Sequence, residues 1–134
     1  MNEPIAFDEV RRFLSDYVAT YDELDVLLCL LRRREQELQP SSVARDLGMP
    51  ESVCRLALEQ FCVRRLASRG ADGRAFRFAP ATDALARGVL ALDRAYHASP
   101  VGVIRAMSEN AVQRVRAAAA RAFPEPLRVR KPHE

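Results

Sequence analysis

Apolar residues recur along the chain at helical spacing, in blocks separated by polar caps, prolines and glycines. Over residues 7 to 18, Phe7, Val10, Leu14 and Tyr17 share one stripe, with Asp8, Arg11, Arg12 and Asp16 elsewhere. This pattern predicts an amphipathic helix that covers the domain's own core. Thr20 followed by Glu23 has the spacing of a capping box, which starts a new helix at Tyr21. Its stripe of Leu24, Leu27, Leu28 and Leu31 runs to Arg32, Arg33 and Arg34, three cations that oppose the negative end of the helix dipole.

The segment QPSSVARDLG predicts a short helix. Pro40 suits the first helical position, where a missing N–H is harmless, and Gly48 suits a left-handed exit. A second helix follows in MPESVCRLALEQFCVRRL, with Val53, Ala57, Leu58 and Phe61 facing inward and Pro50 and Glu51 in its first turn. Small Ala44 is expected where the two helices cross, with Val53 as the early apolar contact. Leu66 to Arg69 and Ala75 to Phe78 then flank a cluster of Gly70, Asp72 and Gly73. These are the signals of a β-hairpin, in which period-two alternation turns Phe76 and Phe78 to the body and Arg77 outward.

Beyond the hairpin, Pro80, Thr82 and Asp83 introduce a helix with Leu85, Val89, Leu92 and Tyr96 on one face, weakened only modestly by Gly88. Ser99 and Pro100 have the chemistry of a cap and a first helical position, so a further helix begins there. Ile104, Met107, Ala111, Val115, Ala118 and Ala122 line one face of it, and Ser108 and Asn110 leave open a division into two shorter helices. The small residues of AAAARA permit close approach of another helix. The proline-containing stretch 124–134 is expected to be extended or disordered.

The hairpin and the two helices before it, VARDLGMPESVCRLALEQF followed by a glycine-tipped reversal, resemble the winged helix-turn-helix of bacterial transcriptional regulators, MarR-like in layout. The resemblance is strong over the middle third and loose in the flanking helices. It implies a mainly α fold with a small β-hairpin: an N-terminal amphipathic helix over 1–19, a winged helix-turn-helix over 20–80, and C-terminal helices over 81–123 serving dimerisation. Such regulators often place a glycine before the leucine that ends the second helix, where this chain has Arg65. A left-handed arginine costs about a kcal/mol or more, which favours a different exit from the helix.

Composition narrows the classes. The 134 residues, 49% of them hydrophobic, suffice for one domain with a core that needs no disulfide. Net charge is +3, but residues 1–40 carry five arginines against nine acids, whereas 41–134 carry sixteen bases against nine acids. A polyanion should therefore meet the second part, unless these charges are only solvated helix faces. Arginine abundance itself is weak evidence, since Lys131 is the one lysine. Cys29, Cys54 and Cys62 form no C-x-x-C pair, and His97 and His133 stand alone, so no metal site and no cofactor is expected. The start, MNEPIAFDEV, lacks a basic segment followed by an apolar run, and no stretch has the length of a membrane span. A reducing, cytoplasmic setting is the expectation.

With the inward set assigned, the second helix turns Glu51, Ser52, Arg55, Leu56, Glu59 and Gln60 outward. Ser52 and Arg55 have the chemistry of base-edge contacts in double-stranded DNA, whereas Glu51, Glu59 and Leu56 make that face poor for it. Arg69, Arg74 and Arg77 on the hairpin and Arg45 on the first helix suit phosphate contacts, with Arg64 and Arg65 as further candidates. The resemblance implies a homodimer that places two such heads on a palindromic site. The alternative is a winged helix that binds a protein partner instead. An enzyme is least supported: there is no phosphate loop before a lysine, no H-E-x-x-H and no nucleophile elbow.

Overall fold

The computed structural model describes residues 3–122, with side chains from Phe7 onward. Six helices and one hairpin follow in the order α1 (Glu3–Tyr17), α2 (Tyr21–Arg32), α3 (Pro40–Leu47), α4 (Glu51–Val63), β1 (Ala67–Arg69), β2 (Phe76–Phe78), α5 (Asp83–Ala98) and α6 (Pro100–Ala122). The molecule is mainly helical with a two-stranded antiparallel sheet, a layout compatible with a winged helix. No described helix is long and apolar enough to cross a membrane.

Local chemistry sets the helix ends. The Thr20 hydroxyl accepts from the Glu23 amide at 3.1 Å, and the Glu23 carboxylate accepts from the Ala19 amide at 2.7 Å, so α2 starts where the capping pair predicts. Pro40 opens α3, and Gly48 closes it at φ 67° with its amide on the Ala44 carbonyl. Thr82 caps α5 through the Leu85 amide, and Ser99 caps α6 through the Gly102 amide. α6 runs unbroken through Ser108 and Asn110, because neither side chain diverts its backbone and the face before them is anchored by buried Val103, Ala106 and Met107.

Arg65 departs from expectation. It takes the left-handed conformation at φ 68° rather than avoiding it. The reason lies in the hydrogen bonds it permits: the Leu66 amide reaches the Phe61 carbonyl at 2.8 Å and the Arg65 amide the Cys62 carbonyl at 3.1 Å. That pair satisfies two orphan carbonyls of α4 and turns buried Leu66 into the core. Arg65→Gly should therefore stabilise the fold by about 0.5–1 kcal/mol, relieving the left-handed strain at the expense of some backbone entropy. Urea denaturation reads this directly, and an unchanged or lowered midpoint would contradict it.

The hairpin pairs Ala67 with Phe78, Ser68 with Arg77 and Arg69 with Phe76. Its strands are shorter than expected because Leu66 belongs to the exit of α4 and Ala75 to the tip. A third segment, invisible in the pattern, joins it: Leu38 exchanges both backbone hydrogen bonds with Phe76 at 2.7 and 2.8 Å. This bridge ties the residues before α3 to the hairpin. Phe76 is buried, Phe78 packs on the core edge and Arg77 is exposed, as alternation predicts.

One core runs through the molecule, joining Leu24, Leu27 and Leu30 of α2 to Val43 of α3, Leu58 and Phe61 of α4, and Val89 and Leu92 of α5. In α4 the inward set is Cys54, Ala57, Leu58 and Phe61. Val53, expected inward, is only half-buried, and the thiol of Cys54 takes its place as a small apolar group. α1 packs against α5 and α6, covering the domain's own core as expected. Its contact with α5 centres on Phe13, which the stripe reading omits and which lies over Gly88. The tail expectation for 124–134 falls outside the described residues.

Candidate nucleic-acid interface

The outward face of α4 carries the chemistry to be weighed. Ser52, Arg55 and Leu56 are exposed there, and Glu59 and Gln60 are half-exposed. Arg55, however, is engaged: its Nη2 donates to Glu51 Oε2 at 2.6 Å, one helical turn back. The i, i+4 spacing of Glu51 and Arg55 made this pairing legible in advance. Both groups are about half exposed, so the pair is weak and solvent-screened and its partners can exchange.

The hairpin base lies beside the middle of α4. Arg69 at the end of β1 stands 3.6 Å from Glu59 Oε2, donates to the Gly73 carbonyl at 3.3 Å and sits 4.9 Å above the Phe76 ring. Three partners hold this guanidinium in place, which makes Arg69 a brace between hairpin and helix as well as a candidate for phosphate contact. The tip is organised by Asp72, whose carboxylate accepts from the Arg74 amide at 2.9 Å. That bond, aided by the Ala75 amide and the Arg74 charge, holds the Asp72 carboxyl below the usual carboxylate range.

Arg74 and Arg77 on the hairpin and Arg45 in the last turn of α3 are exposed. None has a carboxylate at ion-pairing distance among the described residues, although the charge of Arg74 acts on nearby Asp72. Arg65 is exposed in the same way. Arg64 is different and is removed from the set of phosphate candidates. Its Nη1 donates to Glu23 Oε1 at 2.7 Å and to the Tyr17 carbonyl at 2.9 Å, its Nη2 reaches Glu23 Oε2 at 3.3 Å, and its plane lies over Phe61. This arginine fastens the end of α4 to the corner between α1 and α2. No local spacing announces a pair 41 residues apart.

Two exposed apolar side chains complete the face of α4. Leu56 is 60% exposed and Val63 75%. They stand two turns apart on the same helix side, an arrangement that offers nothing to phosphates.

Chemistry of other kinds is sparse. Burial pushes the thiols of Cys29, Cys54 and Cys62 above their ordinary pKa, which leaves little thiolate for nucleophilic work at neutral pH. Among the described residues no group of three or more His, Cys, Asp or Glu is placed to hold a metal ion. No family model matches this chain, and no curated protein or solved structure does either.

Proposed function

We propose that this chain is a winged-helix regulator of transcription that binds double-stranded DNA. The observation that carries the reading is the set of exposed arginines that form no ion pair among the described residues, Arg74 and Arg77 on the hairpin and Arg45 on α3, on the elements that flank the exposed face of α4. In this account α4 enters the major groove with Ser52 and Arg55 leading, and the hairpin arginines lie along the phosphates. Most of the affinity is then electrostatic and falls as salt rises, because each neutralised phosphate releases counterions. Base discrimination is modest, since Arg55 must leave Glu51 before it can donate to a base edge. A homodimer would double the contact and suit a palindromic site.

Two substitutions separate the roles. Arg74→Ala should weaken binding to all duplexes alike and lower the salt slope by about 1, whereas Arg55→Ala should cost about 1–3 kcal/mol on a preferred sequence only. Affinity unchanged in both folded variants would remove these assignments.

A second reading has its own observation. Exposed Leu56 and Val63, with Arg55 and Arg69 paired to Glu51 and Glu59, form a nearly neutral, partly apolar face that suits a protein partner better than a phosphate backbone. In that reading the fold is kept and the helix docks a protein.

A further inference from the structure

The outer face of α6 carries a seam with no partner in the chain. Val103, Ala106 and Met107 bury one side of this helix, and Asn110 and Arg114 reach the carbonyls of Arg11 and Ala19 from it. At about 100° per residue, Val101, Ser108, Val112, Val115, Ala119 and Ala122 fall on the opposite side, at steps of seven, four, three, four and three. This is the spacing of a two-helix seam. Val101, Val112 and Val115 are 65%, 48% and 68% exposed, and every residue from Ala111 to Ala122 is exposed. Eight helical residues, 115–122, thus extend past Arg114, the last residue of α6 bonded to the body, and a helix that short is not stable alone in water.

A shallow groove on this face is lined by Ser108, Glu109, Val112, Gln113 and Arg116. Its charges say what fits it. Glu109 and Arg116 lie on the same flank of the seam, seven residues apart, and straddle nearly the same midpoint as Val112 and Val115. An antiparallel second α6 therefore sets Val112 against the second copy's Val115, and Glu109 against the second copy's Arg116, each contact made twice. A parallel copy would turn Glu109 and Arg116 toward the second copy's other flank, which carries Ala111 and Ala118, and leave both charges without a partner across the seam. Arg11 of the same chain bonds Glu109 through Oε1, which leaves Oε2 for the second arginine. At the ends of the overlap, Ser108, already bonded to the Tyr21 hydroxyl at 2.7 Å, meets only the small Ala119.

We infer that α6 is the surface through which two copies of this chain pair, antiparallel, about a two-fold axis near Gln113. The pairing names the interface of the homodimer proposed above, yet it rests on α6 alone and does not require DNA. The test is sedimentation of the full chain without DNA over a range of concentrations. The wild type should show a monomer–dimer equilibrium. Arg116→Glu and Glu109→Arg, each alone, should raise the dimer dissociation constant about tenfold or more, because each sets like charges together twice. An equimolar mixture of the two variants should pair again with near wild-type affinity, since the mixed dimer restores both oppositely charged contacts. Helicity by circular dichroism checks that both variants fold, and the mixture keeps the test valid even if Glu109→Arg also disturbs Arg11. A wild type that stays monomeric, or a mixture that pairs no better than either variant alone, overturns the proposal. Failure of DNA binding with pairing intact would count against the DNA reading only.

Discussion

Arg64→Ala is expected to destabilise the fold by about 3 kcal/mol, the low end of what breaking a buried ion pair costs. The side chains of Arg64 and Glu23 are 22% and 11% exposed, so neither is fully hydrated. Removing the guanidinium leaves the Glu23 carboxylate in that setting with the Ala19 amide as its remaining donor, and strips the Tyr17 carbonyl of its side-chain partner. It also removes the cation from above the Phe61 ring. The loss comes chiefly from stranding the acid, so Glu23→Gln together with Arg64→Met should recover most of it. Urea denaturation of the two single variants and the double gives the coupling. A loss below about 1 kcal/mol for Arg64→Ala would mean that the pair behaves as an ordinary surface contact.

Gly88→Ala is the second large effect, and its sign runs against helix propensity. In an exposed helix interior the change would stabilise by about 1 kcal/mol. Here a Cβ at residue 88 would stand 2.6 Å from Cδ1 and 2.7 Å from Cε1 of Phe13. The ring is confined by burial and by Tyr17, whose centroid lies 5.0 Å away, so it cannot swing clear without moving α1 on α5. Overpacking of this kind costs about 1–3 kcal/mol, which exceeds the propensity gain. Thermal denaturation should show a lowered midpoint, and adding Phe13→Leu should raise it again. A stabilised Gly88→Ala would place the two helices further apart than the structure has them.

How far the sequence carries the fold depends on whether a feature is written locally. Thr20 with Glu23, Pro40 with Gly48 and Ser99 with Pro100 fix helix ends through contacts three or four residues away, and all appear where their spacing puts them. The alternation of Phe76, Arg77 and Phe78 likewise survives. What escapes is set by distant neighbours. Leu38 joins the hairpin through one residue, too short for any period. Phe13 lies off the idealised stripe because Gly88 opens a slot for it on another helix. Val53 yields its inward place to Cys54, a residue whose apolar character a hydrophobic-stripe reading undervalues.

The candidate site divides in the same way. The exposure of Ser52, Arg55, Arg74, Arg77 and Arg45 follows from helical and strand periodicity. The pairing of Arg69 with Glu59 and of Arg64 with Glu23 depends on how the hairpin and the first two helices close on α4. The buried Arg64–Glu23 pair changes the candidate face most, since it makes one apparent phosphate ligand a fastener, whereas the half-exposed Arg69–Glu59 pair leaves Arg69 a candidate that also braces the hairpin.

The most direct test of the DNA-binding claim is titration of the full chain against labelled random-sequence duplex at two salt concentrations. The account predicts binding at low salt that weakens steeply as salt rises, with a slope reporting the few phosphates that Arg45, Arg74 and Arg77 can reach. No binding at the lower salt would contradict it and leave the exposed Leu56 and Val63 face to a protein partner.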